Sequence, residues 1–211
     1  MATVTIPEDL SVGNNIRVGG TITPAIAKAN ILALAELQVF PIRLTDFRKA
    51  GAQEMDELLP NPGLTDDLGI YGEFGVSTPS LRTEDLKAAG ATSNHARVLV
   101  HLPWEYVADQ TVILRFKAGM ITTVSDTTAT LDCEAYKIQD DPDDSLTALV
   151  ITAATTINST TFADIDFTLT DTNLSPGDIL DVRITTAVND GATGTAVIMG
   201  ISWAHLLCDV R

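Results

Sequence analysis

The chain has 211 residues, 28 acidic against 13 basic, for a formal net charge of −15, and 45% are hydrophobic. That length suits one main domain rather than two, and no apolar run approaches the roughly 18 residues that a membrane span needs. So negative a chain offers phosphate no basic stripe for counterion release, so neither a membrane nor a nucleic acid is an expected partner.

The opening residues, Met1 to Asp9, lack the basic and apolar regions of a secretory signal, and none is expected. Residues 1 to 24 are polar and glycine-marked, with Ile16, Val18 and Ile22 alternating across Gly19-Gly20. Such a segment cannot build its own core; it is disordered, or it orders by pairing with another surface. Alternating apolar residues have no purpose on a solvated tail, which points to the second. Residues 1 to 24 are therefore expected to form an extended arm and residues 25 to 211 the folded domain.

Pro24 followed by Ala25 to Leu37 predicts one short helix, with proline in the first turn and alanine throughout. Phe40-Pro41-Ile42-Arg43-Leu44 ends it and predicts the first extended segment. Residues 50 to 80 carry Pro60-Asn61-Pro62-Gly63 and Asp66-Asp67-Leu68-Gly69, which predict long loops around a short strand near Ile70 to Phe74. The loop-rich part extends to about residue 90.

From Asn94 the pattern clears. Ala96, Val98, Val100 and Leu102 alternate with His95, Arg97, Leu99 and His101; Val112, Leu114, Phe116 and Ala118 with Ile113, Arg115 and Lys117; Leu131, Cys133 and Ala135 with Asp132, Glu134 and Tyr136. Each is the signature of a half-buried strand. Leu146 to Ile157 is apolar and threonine-rich, and Ile165, Phe167 and Leu169 alternate with Asp164, Asp166 and Thr168.

Ser175-Pro176-Gly177-Asp178 predicts a turn, after which Leu180, Val182 and Ile184 face one way and Asp181, Arg183 and Thr185 the other. The last run, Thr195 to Val210, is apolar at nearly every position and belongs inside a sandwich or at an oligomer interface. Seven or eight strands spaced by turns predict an all-β fold, a jelly-roll-like antiparallel β-sandwich.

Little in the sequence points to catalysis, and no enzymatic role or cofactor is expected. His95, His101 and His205 all fall in predicted strands, and no motif gives them converging ligands or a nucleophile. Asp140, Asp141, Asp143 and Asp144 could offer oxygen to calcium, although a solvated loop accounts for them as well. Asp171 to Ser175 begins like a calcium loop, but Pro176 stands at the glycine position and Val182 at the closing acid. Carboxylate pairs for glycoside hydrolysis could be drawn from Glu105, Asp109, Asp164 and Asp166. Trp104, Tyr106 and Trp203 could stack on sugar, or simply pack. Cys133 and Cys208 are compatible with a bridge or with buried reduced thiols. Asn158-Ser159-Thr160 matches a glycosylation sequon.

The arm from Ser11 to Pro24 resembles the short glycine-punctuated β-repeats at the base of phage fibres and virion-attached proteins. Residues 90 to 211, with Leu102-Pro103-Trp104-Glu105-Tyr106-Val107, Phe162-Ala163-Asp164 and the stretch from Ser175 to Ile184, resemble jelly-roll structural proteins of tailed bacteriophages. The resemblance implies a capsid decoration, or cement, protein made in the host bacterial cytoplasm: a homotrimer on the capsid surface, bound to the major capsid protein. Ile16, Val18 and Ile22 would then dock on the shell, and Val197, Met199, Ile201 and Trp203 would form the subunit interface. The alternatives are a head or tail fibre or receptor-binding domain, with recognition on the loops at 50 to 80 and 138 to 145, and a carbohydrate-binding module with Trp104 and Tyr106 as its platform.

Overall fold

Alternation lets a strand bury one face while the other meets water, and the described residues form ten strands, the longer of which follow this rule. They are β1 (Glu36–Ile42), β2 (Gly69–Tyr71), β3 (Ser80–Arg82), β4 (Gly90–His101), β5 (Val112–Met120), β6 (Thr128–Lys137), β7 (Thr155–Thr156), β8 (Ala163–Thr168), β9 (Ile179–Asp190) and β10 (Met199–Val210). The computed structural model describes residues 36–50, 57–61, 66–138 and 147–211, all within the unit Glu36–Arg211. Among the described residues the one helical turn is a 3-10 turn, Leu44–Asp46. The arm residues Ile16, Val18 and Ile22, most of the predicted helix, and Asp140, Asp141, Asp143 and Asp144 lie outside the described residues.

The strands form two antiparallel sheets, one ordered β2-β3-β10-β5-β8 with β1 also on β10, the other β4-β9-β6-β7. Pairing is nested: β3 with β10, β4 with β9, β5 with β8, β6 with β7. Closed by β10 beside β5 and β9 beside β6, this concentric wrapping of eight strands is a jelly roll. The expected all-β sandwich is the fold of this chain.

Between the sheets lie the predicted inward residues. Ala96, Val98 and Val100 of β4, Leu114 and Phe116 of β5, Leu131 and Cys133 of β6, Phe167 of β8 and Val182 and Ile184 of β9 are all buried in one core. Phe116 and Phe167 meet edge to face there, with ring centroids 6.0 Å apart. Cys133 and Cys208 are both buried and free, the reduced-thiol alternative, and burial pushes the Cys208 thiol up to about 11.

The predicted helix gives way at its end, where Glu36 and Leu37 open β1, paired opposite Val210 and Asp209 of β10. Tertiary pairing overrides local helix propensity at these two positions.

A second departure lies in β10. Ile201 stands opposite Ala118 and Trp203 opposite Lys117, so Ser202 is an extra residue, a β-bulge. An inserted residue reverses the facing of everything beyond it. Val197, Met199 and Ile201 therefore point into the core together with Ala204, Leu206 and Cys208, while Trp203 turns out. Val197, Met199 and Ile201 are fully buried inside their own chain, and of the four residues expected at a subunit interface Trp203 alone reaches the surface.

Candidate functional site

The outer face of the six-stranded sheet presents what β1, β10, β5 and β8 do not bury. Register places these side chains in rows: Pro41, His205, Arg115 and Asp166 in one, Val39, Ile113 and Thr168 beside it around a buried Leu207, and Trp203, Lys117 and Asp164 on the other flank. Arg115 grips Asp166 with two hydrogen bonds, Nε to Oδ1 at 2.5 Å and a terminal nitrogen to Oδ2 at 2.6 Å, and Lys117 Nζ donates to Asp164 at 2.8 Å. Trp203 lies on His205 with centroids 4.4 Å apart.

These charges set each other. The hydrogen bond from Lys117 holds Asp164 below the usual carboxylate range, and Asp166 raises Arg115. Burial, then the positive charge of Arg115, pulls His205 below its ordinary value, against Asp164. An ionised Asp164 is the reverse of the protonated acid that glycoside hydrolysis requires.

Beside Trp203 the face sinks into a cleft of about 450 Å³, whose walls include Thr78 and Arg82, Lys117, Thr160, Ser202 and Trp203 itself. Two glycines show how tightly its surroundings pack. A Cβ on Gly119 would meet the Phe162 ring at 2.7 Å, and one on Gly200 would meet Ile121 at 2.5 Å. Across the cleft, Arg82 stacks over the Tyr71 ring at 4.2 Å and its Nε donates to Ser80 Oγ at 2.7 Å. Sequence reasoning missed β3 and this stack, because three residues are too few for alternation to register.

The opposite outer face, on β4, β9 and β6, is laced by ion pairs. Asp181 accepts two hydrogen bonds from Arg97, one of them 2.6 Å from Nε, and Arg183 pairs with Glu134. His95 lies here, its Nδ1 3.0 Å from Thr185 Oγ1. His95 and His101 share β4, whereas His205 is on the other sheet, so the three histidines do not converge. Among the described residues no group of three or more His, Cys, Asp or Glu is placed to hold a metal ion.

The sugar platform expected of Trp104 and Tyr106 does not form. Tyr106 is buried, its hydroxyl donating to the Gln110 carbonyl at 2.6 Å, and burial pushes it up to about 12. Trp104 is 80% exposed and lies over Gly177. Glu105 and Asp109 are exposed on the same loop, away from the pairs that Asp164 and Asp166 make. Asn158 of the sequon clamps Ser125, accepting from its N–H at 2.8 Å and donating to its carbonyl at 3.0 Å.

The sheet edges differ. The free edge of β4 is covered, with Arg48 and Arg97 exchanging backbone hydrogen bonds of 2.8 and 2.9 Å and Leu68 N–H reaching the His95 carbonyl at 2.9 Å. That of β8 is met by Leu149 to Ile151, which bond Thr168 and Thr170. Strand β1 pairs with β10 alone among the described residues and leaves Leu37 and Val39 49% and 55% exposed.

No family model matches the sequence, and no curated protein matches it either. Among solved structures, the CBM22-2 xylan-binding domain from Paenibacillus barcinonensis Xyn10C is 15% identical over 79% of this chain and 93% of its own, with a TM-score of 0.42. The structure of infectious bursal disease virus Gx strain is 13% identical over 83% of this chain and 32% of its own, TM-score 0.39. The enzymatically active domain of Bacteriophage CBA120 tailspike protein 4 is 8% identical over 81% and 19%, TM-score 0.36. Likenesses this loose carry nothing about function, and the jelly roll stands on this chain's own strand order.

Proposed function

We propose that the chain is a virion structural protein of the capsid-decoration kind, a jelly roll that binds the outside of an assembled shell and stabilises it without catalysis. The observation that carries this reading is β1. Its outer edge has no backbone partner among the described residues, and it exposes Leu37 and Val39. An open, apolar edge strand is a pairing hazard unless a partner covers it. In sequence it follows directly on Met1–Ala35, where Ile16, Val18 and Ile22 alternate as a strand-adding segment would.

On this reading arm and edge strand together dock on the major capsid protein, and the homotrimer engages several capsid subunits at once. Binding the assembled shell but not its loose subunits stabilises the shell by mass action, and three linked contacts gain from effective concentration. A net charge of −15 keeps decorated particles apart. The protein would be made in the host bacterial cytoplasm and reside on the capsid surface.

Quantitative mass spectrometry of purified particles tests this. Decoration predicts a copy number on the scale of the capsid subunits, whereas a handful of copies per particle would assign the chain to a fibre or receptor-binding domain instead.

A further inference from the structure

We infer that the cleft beside Trp203 is a binding site for a carboxylated saccharide, separate from the β1 edge and independent of shell docking. Its charge is the first reason. In a chain with 28 acidic and 13 basic residues, the cleft is lined by two cations, Arg82 and Lys117, and by no carboxylate. Lys117 is held by Asp164 at 2.8 Å. Arg82 is different: of the four strand arginines, Arg97, Arg115 and Arg183 each pair with a carboxylate, and Arg82 has no carboxylate partner among the described residues.

What Arg82 does have is a fixed position. Tyr71 supports the flat of its guanidinium and Ser80 takes its Nε, an arrangement that leaves the terminal nitrogens to face a ligand. A guanidinium so held suits the two oxygens of one carboxylate.

The remaining walls select the rest of the ligand. Trp203 offers an aromatic surface to the apolar C–H face of a sugar ring, and the hydroxyls of Thr78, Thr160 and Ser202 can each donate and accept. A volume of about 450 Å³ falls in the range of small-ligand sites. A polyphosphate would meet the field of a chain at −15 with one guanidinium, unpaired with any described carboxylate, to offset it; a sugar with a single carboxylate on each residue asks for no more than that.

The test uses the full chain on an array holding glycans that end in sialic acid, oligomers of galacturonic acid, the methyl esters of those oligomers, and neutral glycans. The expected result is binding to carboxylated glycans and weaker binding to the esters. For a glycan that binds, Arg82→Gln is expected to weaken affinity by roughly tenfold to a hundredfold, the weight of a charged hydrogen bond. Trp203→Ala is expected to abolish binding, and Glu134→Gln on the opposite sheet to leave it unchanged. Because Trp203 also supports His205, Arg82→Gln is the deciding variant. No binding to any carboxylated glycan, equal binding to acid and ester, or full affinity in Arg82→Gln would each overturn the inference.

Discussion

Trp203 stands face to face with His205, two positions along β10, with ring planes 29° apart and centroids at 4.4 Å. Both side chains reach the outer face only because the bulge at Ser202 turns them there. An indole and an imidazole in such contact make the tryptophan a reporter of the histidine's charge, since a protonated imidazole quenches it.

Burial and Arg115 depress His205 below 6.5, and burial and Arg183 do the same to His95. In a Trp104→Phe background, emission from Trp203 should therefore fall on acidification with a midpoint below 6.5. The unfolded chain binds these protons more readily, so stability is fully present above about 6.5 and falls as the pH drops toward the folded midpoints. Thermal melts across pH 7.5 to 5 should show this loss, and His205→Gln should reduce it.

Asp190 gathers three segments at one end of the sandwich. It accepts from Ala88 N–H at 2.7 Å, Asp126 N–H at 3.0 Å and the Thr193 hydroxyl at 2.5 Å. Burial alone would raise its pKa, but these hydrogen bonds to the charged form outweigh it and bring the value down to about 2. A depressed carboxylate stabilises the fold above the unfolded value and loses that contribution as pH falls toward 2. Asp190→Asn should be less stable at neutral pH and lose less between pH 4 and 2, as followed by thermal melts.

The two ion pairs on the four-stranded face should differ in weight. The Asp181 side chain is 8% exposed beside Arg97, whereas Glu134 and Arg183 are 39% and 47% exposed. Asp181 is nearly buried and takes two charged hydrogen bonds from a part-exposed Arg97, so Asp181→Ala should cost about 1–3 kcal/mol in urea unfolding. Glu134→Gln should cost less than about 1 kcal/mol.

Gly177 sits at φ +80 with the Trp104 ring 2.8 Å from where a Cβ would stand. The exposed indole can swing away, which leaves the backbone term. Gly177→Ala should destabilise by about 1–2 kcal/mol, and by nearly as much when Trp104 is alanine, a comparison that equilibrium unfolding makes directly.

That turn also shows what was legible in the sequence. Ser175-Pro176-Gly177-Asp178 puts proline and then a positive-φ glycine at the two central positions, and Asp178 N–H closes onto the Ser175 carbonyl at 3.1 Å, the signature of a type II turn. Strands β4, β5, β6, β8 and β9 bury the faces that alternation assigns them, because a half-buried sheet imposes a period of two. The bulge was missed: the run before Ser202, Ala196 to Ile201, has no polar residue to fix which side faces inward, so the outward parity of His205 and Asp209 beyond it had nothing to be compared with. So was the cleft, since Arg82, Lys117, Thr160 and Trp203 come from distant segments and converge only through the nested pairing.

On the proposed function, this jelly roll docks on a shell through β1 and the arm before it. The most direct test is co-sedimentation of the purified chain with shells stripped of it, set beside the doubly charged variant Leu37→Asp, Val39→Lys, whose fold is checked by near-UV circular dichroism. Docking through β1 predicts saturable binding of the natural chain and a folded variant left in the supernatant. Equal sedimentation of the two, or no sedimentation of the natural chain, would contradict it.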